Sequence, residues 1–231
     1  MKISIITVTY NSEQVLKDCI NSVANQNYDK KEHIVIDGDS KDSTMSILKQ
    51  NQNHLTKLIS EPDKGIYDAM NKGIKIATGD IVGFLNSDDF YKTSSVLSSV
   101  NSAFSKDSKL EACYADIVIV NRTDTSKITR YWKSNSFRPG AFSKGWCPPH
   151  PTFFAKCSVY NNYGNFDLSY KMASDVELMM RFLEVEKIKV RYIPEIWINF
   201  RNGGISNKSI INICKQNEKC SFNRWGWLYR K

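Results

Sequence analysis

The chain has 231 residues, which is enough for one substantial domain and too few for two domains of typical size. Its composition, 41% hydrophobic and 24% charged, is that of a globular protein, and it contains no run of about 18 apolar residues that could cross a membrane. The formal net charge of +8 favours anionic partners such as nucleic acid, phosphorylated substrates or an anionic membrane surface, although many proteins are basic without such a role.

The six cysteines and the N-terminus bear on the cellular compartment. The cysteines form no CxxC pair and have no histidines at zinc spacing, which predicts reduced thiols. The first ten residues resemble a strand and lack the apolar region of a signal peptide. These features predict a cytoplasmic protein.

The first 90 residues alternate between strands and helices. Residues 3–8 are a β-branched apolar run, and Asn11 precedes Gln14 at the spacing of a capping box before a helix. The further predicted elements are a strand at 33–37, a short helix at 44–48, a strand at 57–60, an amphipathic helix at 66–77 and a strand at 81–85. This alternation predicts an α/β fold with a mostly parallel central sheet, Rossmann-like, with helices on both faces.

The second half is less regular. Residues 111–120 and 127–132 are predicted to pair as antiparallel strands, followed by a loop at 133–150. A helix at 175–184 and strands at 189–193 and 197–201 complete the pattern. We therefore expect a small antiparallel sheet beside the parallel one.

Polar residues cluster at the carboxyl ends of the predicted strands, where open α/β sheets bind ligands. Asn86, Ser87, Asp88 and Asp89 follow a buried strand, and two adjacent carboxylates are hard to desolvate unless a cation neutralises them. A hard divalent ion takes such oxygen ligands and keeps positions for phosphate oxygens. The alternative is an exposed turn that caps the next helix.

Two other clusters are suited to a nucleotide. Asp37 and Asp39, separated by a glycine, could accept hydrogen bonds from a base or ribose, or could simply form a βα turn. Lys64 precedes a helix and could bind an anion together with free backbone N–H groups, or could serve as an ordinary polar entry to that helix.

Two residues of the second half are candidates for acid–base or ligand contacts. Asp175 lies in the first turn of a predicted helix and could act as a general base, or could compensate the helix dipole. His150, among three prolines, could contact phosphate, metal or acceptor, or could be buried for packing.

Together these stretches resemble glycosyltransferase family 2, the inverting transferases with the A-type nucleotide-diphospho-sugar transferase fold. The subgroup resembled is the one that builds colanic acid, O-antigen and capsular polysaccharides. The matching segments, which span about residues 1–200, are 4–11, 35–44, 61–73, 77–80, 84–89, 150–152, 164–167 and 174–177.

The resemblance implies roles for individual residues. Thr9, Tyr10 and Asn11 would line the base pocket, Asp37 would bind the base, and Asp39, Lys64 and Ser87 would lie beside the nucleotide. Asp88, with Asp89 beside it, would hold Mn²⁺ or Mg²⁺ on the diphosphate. Asp175 would deprotonate the acceptor hydroxyl. Asn86, where the family usually has Asp, and His150 are less specific contacts to the diphosphate or the acceptor.

The resemblance also implies an organisation and a function. Residues 1–205 would form one glycosyltransferase domain, with a nucleotide-sugar-binding half at 1–90 and an acceptor-binding half at 91–205. The expected enzyme transfers one sugar from a UDP- or GDP-sugar to a glycan or polyprenyl-diphosphate-linked acceptor in surface polysaccharide biosynthesis. The alternatives are a nucleotidyltransferase that makes nucleotide sugars and a catalytically silent nucleotide-sugar-binding protein.

The C-terminal residues 206–231 are predicted to form a helical tail. The tail is rich in aromatic and basic residues, which suits peripheral contact with the inner face of the plasma membrane, although it could equally pack on the domain. No nucleic-acid-binding motif is present, and we expect no nucleic acid partner.

Overall fold

One nine-stranded sheet runs through residues 1–203, the part of the chain that this computed structural model describes. The strands are β1 Ile3–Thr9, β2 Lys31–Asp37, β3 Lys57–Ser60, β4 Ile81–Phe84, β5 Phe90–Tyr91, β6 Ala112–Val120, β7 Ile128–Trp132, β8 Phe154–Lys156 and β9 Val190–Arg201. The helices are α1 Leu16–Ala24, α2 Thr44–Gln50, α3 Ile66–Ile76, α4 Val96–Ser105, α5 Cys157–Tyr163 and α6 Ser174–Met180. The strand order is β3-β2-β1-β4-β8-β6-β9-β5, with β7 paired to β6.

Strand β1 lies at the centre of the parallel half. Every one of its residues is buried, and it pairs in parallel with β2 and β4. Its alternating side chains reach two separate cores: Ile5 packs on the side of α1 and α4, and Ile6 on the side of α3, α5 and α6. Gly73 lets helix α3 lie directly against β1, since a Cβ at this position would come within 2.4 Å of the Ile6 side chain. The predicted fold class, with helices on both faces of the sheet, is confirmed.

The antiparallel strands join this same sheet. Strand β8 pairs antiparallel with both β4 and β6, and β7 pairs antiparallel with β6 as predicted. The two strands predicted at 189–193 and 197–201 are one strand, β9, which pairs with β6. The register shifts opposite Asp116 let β9 pass through Pro194, whose missing N–H cannot join a regular ladder.

Two helix predictions need correction. The capping box at Asn11 is wrong: α1 begins at Leu16, and Asn11 adopts a left-handed conformation with φ 48°. Its Oδ1 accepts the backbone N–H of Lys41 at 2.9 Å, so it joins the loop after β1 to the loop after β2. The helix predicted at 175–184 begins at Ser174 and ends in a π-helical turn over 181–185.

Helices within residues 1–203 include none that is long and apolar enough to cross a membrane. The predicted C-terminal tail, 206–231, lies outside the described residues.

Candidate active site

A cavity of about 580 Å³ opens beyond the carboxyl ends of β1 and β4. Its volume lies within the range of small-molecule and cofactor sites. The parts of the chain that line it are 8–15, Asp42, Asp63, 65–66, Ala69, 86–88, Arg122, Phe200 and Gly203. The segments at 9–11, 63–65 and 86–89, which all follow predicted strands, therefore contribute residues to one cavity.

The end of β1 forms one wall of this cavity. Thr9 is buried, and its Oγ1 has no hydrogen-bond partner among the described residues. Tyr10 is 62% exposed and lines the cavity. An unpaired buried hydroxyl beside an exposed aromatic ring suits a planar polar ligand, which can supply the missing hydrogen bond and stack on the ring.

Asp37, the predicted base contact, does not line the cavity. Its buried carboxylate accepts hydrogen bonds from the backbone N–H and hydroxyl of Ser40 and from the hydroxyl of Ser60 at 2.7 Å. The carboxylate that reaches the cavity is instead that of Asp63. A Cβ on Gly38 would come within 2.5 Å of Asp63 Oδ2, so glycine is required for this close approach.

Asp39 and Lys64 also lie outside the cavity lining. Asp39 has a left-handed φ of 65° and pairs with Lys41 at 2.6 Å on the surface. Lys64 is exposed, and its backbone N–H donates to Asp68 at 3.0 Å. Both residues flank the site rather than line it in this structure.

The adjacent carboxylates of Asp88 and Asp89 face in different directions. Asp88 lines the cavity, and its Oδ2 lies 3.9 Å from Nη1 of Arg122. Asp89 is fully buried, and it accepts the backbone N–H of Arg201 at 3.1 Å and the Nδ2 of Asn86 at 3.4 Å. Asp89 therefore ties the end of β9 to the loop after β4, while Asp88 is available to a ligand.

Burial makes this acidic pair costly to ionise. It raises the pKa of Asp88, and the charges of Arg122 and Arg201 act in the opposite direction. Burial raises the pKa of Asp89 well above its usual range, and the charge of Asp88 raises it further. A cation bound at Asp88 would favour the ionised form of both groups.

Arg201 is a buried cation next to this pair. Its side chain is 4% exposed, contacts the Asp18 carboxylate, and donates to the Asp88 backbone carbonyl at 3.2 Å. Its guanidinium also lies 5.1 Å from the centre of the Phe90 ring. Arg201 thus fixes the backbone that carries Asp88.

The oxygen atoms at the cavity fit a hard divalent ion. Asp88 offers one carboxylate, and the buried Oδ1 of Asn86 has no partner among residues 1–203. No cluster of three Asp, Glu, His or Cys side chains suited to a metal occurs among residues 1–203. Mg²⁺ and similar ions are usually bound in this way, by one or two protein carboxylates together with water and substrate phosphates.

Asp175 lies in a second polar cluster beside α3. Its Oδ1 accepts the hydroxyl of Tyr67 at 2.8 Å. The Tyr67 ring stacks on Phe166 with centroids 5.5 Å apart, which holds the hydroxyl in place. Burial and the neighbouring Asp175 charge raise the pKa of Tyr67, so this hydroxyl remains a donor.

His150 is buried near Asp175 and does not line the cavity. Its ring stacks on Phe84 with centroids 5.4 Å apart and meets Phe166 edge to face at 5.7 Å. Burial lowers the pKa of His150, and the Asp175 charge opposes that effect. The geometry supports the packing alternative for this histidine.

Sequence reasoning missed Arg122, Arg201 and Tyr67. Arg122 follows β6 in a turn whose position relative to β4 depends on the sheet order. Arg201 lies at the end of β9, 113 residues from the carbonyl to which it donates. Tyr67 belongs to a segment that carried the resemblance, yet its partner Asp175 is 108 residues away along the chain.

Known proteins resemble this chain in sequence and in fold. Residues 4–168 match the family model described as glycosyl transferase family 2. A "PGL/p-HBAD biosynthesis glycosyltransferase" of Mycobacterium tuberculosis is 26% identical over 216 residues, covering 88% of this chain and 78% of the relative.

Two solved structures share the fold at 20% identity. S. aureus TarS 1–349 in complex with UDP-GlcNAc has a TM-score of 0.68, covering 91% of this chain and 61% of that one. The mannosyltransferase PcManGT of Pyrobaculum calidifontis, in complex with GDP-Man and Mn²⁺, has a TM-score of 0.65, covering 84% and 55%. The chain thus spans less than two thirds of each of these structures.

The family match extends over most of the chain and includes all the cavity-lining residues except Phe200 and Gly203. The chain belongs to glycosyl transferase family 2 and is a sugar-transferring enzyme.

Proposed function

We propose that this glycosyltransferase is metal-dependent and transfers one sugar, with inversion, from a UDP- or GDP-sugar to a hydroxyl of an acceptor. The observation that carries the proposal is the cavity beyond β1 and β4, which brings an exposed aromatic ring, unpaired polar atoms and the Asp88 carboxylate together. The solved relatives hold UDP-GlcNAc in one case and GDP-Man with Mn²⁺ in the other, which supports this class of donor and cofactor.

The nucleoside would occupy the wall formed by the end of β1. Tyr10 would stack on the base, and the Thr9 hydroxyl and Asp63 would accept or donate the polar contacts that orient it. Asn11 would act through the loop that it joins to Lys41. In this proposal Asp37 positions the loop at 38–40 rather than touching the base, Asp39 and Lys64 flank the site, and Ser87 lies beside the nucleotide in the cavity wall.

The diphosphate would lie next to Asp88. Bound Mn²⁺ or Mg²⁺ would supply charge neutralisation for the departing nucleoside diphosphate. Asp88 would hold that ion with Asn86 beside it. Asp89 instead stabilises the loop after β4 through its hydrogen bonds with Asn86 and the backbone of Arg201. Arg122, which lies at the same opening, would add a second positive charge to the leaving group.

Asp175 would act as the general base. In one in-line displacement the acceptor oxygen attacks the anomeric carbon, its proton passes to Asp175, and the bond to the diphosphate oxygen breaks with inversion. The Tyr67 hydroxyl holds Oδ1 of Asp175, and Oδ2, which has no hydrogen bond to another described residue, would receive the proton.

The domain limits, the acceptor and the cellular location complete the proposal. Residues 1–90 would supply most of the donor site, to which Arg122 adds a side chain from the second half, and 91–205 would bind the acceptor, with 206–231 as an appended tail. The M. tuberculosis relative is named for PGL/p-HBAD biosynthesis, which supports a lipid-linked or glycan acceptor of surface polysaccharide biosynthesis. Such an acceptor would place the enzyme in the cytoplasm, peripherally bound to the inner face of the membrane.

A direct test combines thermal shift with donor hydrolysis. The purified protein should be stabilised by a UDP- or GDP-sugar more strongly with Mn²⁺ than without it, and should slowly release nucleoside diphosphate. Asp88→Ala should lower the rate by about a hundredfold, because several kcal/mol of charge stabilisation are lost. Asp29→Ala, at an exposed position outside the cavity, is the matched control. Equal rates for Asp88→Ala and the control would refute the metal assignment, and stabilisation without turnover would indicate a silent binding protein.

A further inference from the structure

A basic ribbon of residues 122–144 begins at the cavity. It consists of the turn after β6, strand β7 and the loop that follows, and it contains one acidic residue, Asp124. Its six cationic side chains all belong to exposed residues: Arg122, Lys127, Arg130, Lys133, Arg138 and Lys144. A surface of nearly one sign of charge is suited to a partner of the opposite sign.

The same ribbon exposes large apolar side chains. All five residues of β7 are exposed, including Ile128 at 55%, Tyr131 at 48% and Trp132 at 37%. Their pairing partners on β6, such as Ile117 and Val118, are buried. Single exposed apolar residues are ordinary, but three large ones within a single five-residue strand mark an interaction surface.

Contacts to the body of the protein fix the ribbon in position. The buried carboxylate of Asp116 accepts the hydroxyl of Tyr131 at 2.7 Å and the backbone N–H of Ser134 at 2.8 Å. The backbone N–H of Gly140 donates to both carboxylate oxygens of Glu184 at 2.9 Å. Arg130 and Trp132, two residues apart in a regular part of β7, share one face of the strand.

We propose that the basic ribbon binds the surface of a bilayer that contains anionic phospholipid. Trp and Tyr side chains favour the interface between lipid and water, and exposed Lys and Arg side chains are attracted to anionic headgroups. A second copy of the chain fits this surface poorly, because two ribbons would bring like charges together. Since Arg122 also lines the cavity, this contact places the cavity next to the bilayer, where a lipid-linked acceptor enters.

Binding of the ribbon to the bilayer does not require the proposed transfer reaction, whereas the entry of a lipid-linked acceptor rests on the proposed function. It also differs from a membrane contact through residues 206–231, because it assigns the contact to side chains of the ribbon. The two assignments give opposite results when the ribbon is changed and the tail is left intact.

The test is cosedimentation of the full chain with vesicles of phosphatidylcholine, with and without phosphatidylglycerol, at low and high salt. The wild type should bind the anionic vesicles, and high salt should weaken the binding. Arg130→Gln with Lys133→Gln should weaken binding roughly thirtyfold, given the usual contribution of each cation near such a surface. Lys30→Gln with Lys49→Gln removes the same charge at exposed positions outside the ribbon and should bind like the wild type.

A second variant tests the aromatic part of the contact. Trp132→Ser should weaken binding at high salt as well as at low salt, because it removes apolar burial. Each variant should melt at the temperature of the wild type, which shows that the fold is intact. The proposal would be overturned if the wild type bound vesicles equally well with and without phosphatidylglycerol. It would also be overturned if a folded ribbon variant bound as tightly as its control. A third contrary result is that ribbon changes abolish self-association of the chain and leave vesicle binding intact.

Discussion

The hydrogen bond between Tyr67 and Asp175 allows a sharp test of the proposed base. Tyr67→Phe removes the hydroxyl that donates to Asp175 Oδ1 at 2.8 Å and keeps the ring that stacks on Phe166. The packing between α3 and the loop before α6 is therefore preserved. The variant isolates one polar contact to a carboxylate.

The size of the effect follows from the type of bond. A hydrogen bond to a charged group contributes about 1.5–3 kcal/mol. If that contact orients the base in the transition state, kcat/KM should fall about ten- to a hundredfold while KM for the donor changes little. Because the ring and its packing stay in place, a loss confined to kcat would identify an effect on the chemical step rather than on donor binding.

The assay is steady-state transfer or donor hydrolysis from pH 5 to 9, compared with Asp175→Asn as the limit in which the base is absent. His150 and Cys147 also lie near Asp175, and neither is altered in the variant. An unchanged kcat/KM in Tyr67→Phe would refute the positioning role. A large loss in Asp175→Asn alongside that result would leave the base assignment standing.

Two further predictions concern other parts of the structure. Arg122→Gln should lower the affinity for UDP or GDP by about tenfold, because the Arg122 charge lies next to Asp88, where the diphosphate is proposed to bind. The affinity for uridine or guanosine should not change, and calorimetric titration measures both affinities. His33 is buried, and burial lowers its pKa to about 3. The unfolded chain takes up the proton near pH 6.5, so the free energy of unfolding should fall by about 1.4 kcal/mol between pH 7.5 and 5.5, and His33→Gln should remove this part of the loss in urea titrations. An equal fall in His33→Gln would assign the pH dependence to other groups.

Local sequence was sufficient to predict the parallel half of the fold. The buried strands β1 and β4 are continuous apolar runs, and α3 repeats its apolar residues at helical spacing, so each element is specified by its own residues. The sequence could not predict that 189–193 and 197–201 form the single strand β9, because Pro194 interrupts the apolar strand pattern. The strand is continuous because residues on both sides of Pro194 pair with β6.

The site was predictable by region and less so by residue. The polar clusters at the strand ends do meet, since parallel strands end at the same edge of the sheet. The direction of each side chain depends on contacts that are remote in sequence. The Asp37 carboxylate accepts hydrogen bonds from Ser40 and Ser60, and the carboxylate that lies in the cavity wall is that of the neighbouring Asp63.

Asn86, the departure from the family pattern, has a physical role in this arrangement. Its Nδ2 donates to the buried Asp89, which a carboxylate at that position could do only if it were protonated. Its Oδ1 has no hydrogen-bond partner in the described part of the chain. Asn86→Asp would replace that donor with a third acidic group beside two carboxyl groups whose pKa values are already raised. We therefore expect Asn86→Asp to lower the melting temperature in the absence of metal. Mn²⁺ should raise the melting temperature of the variant more than it raises that of the wild type, which thermal unfolding with and without Mn²⁺ would measure. If Asn86→Asp melted like the wild type under both conditions, the Asn86 amide would not be stabilising the pair Asp88 and Asp89.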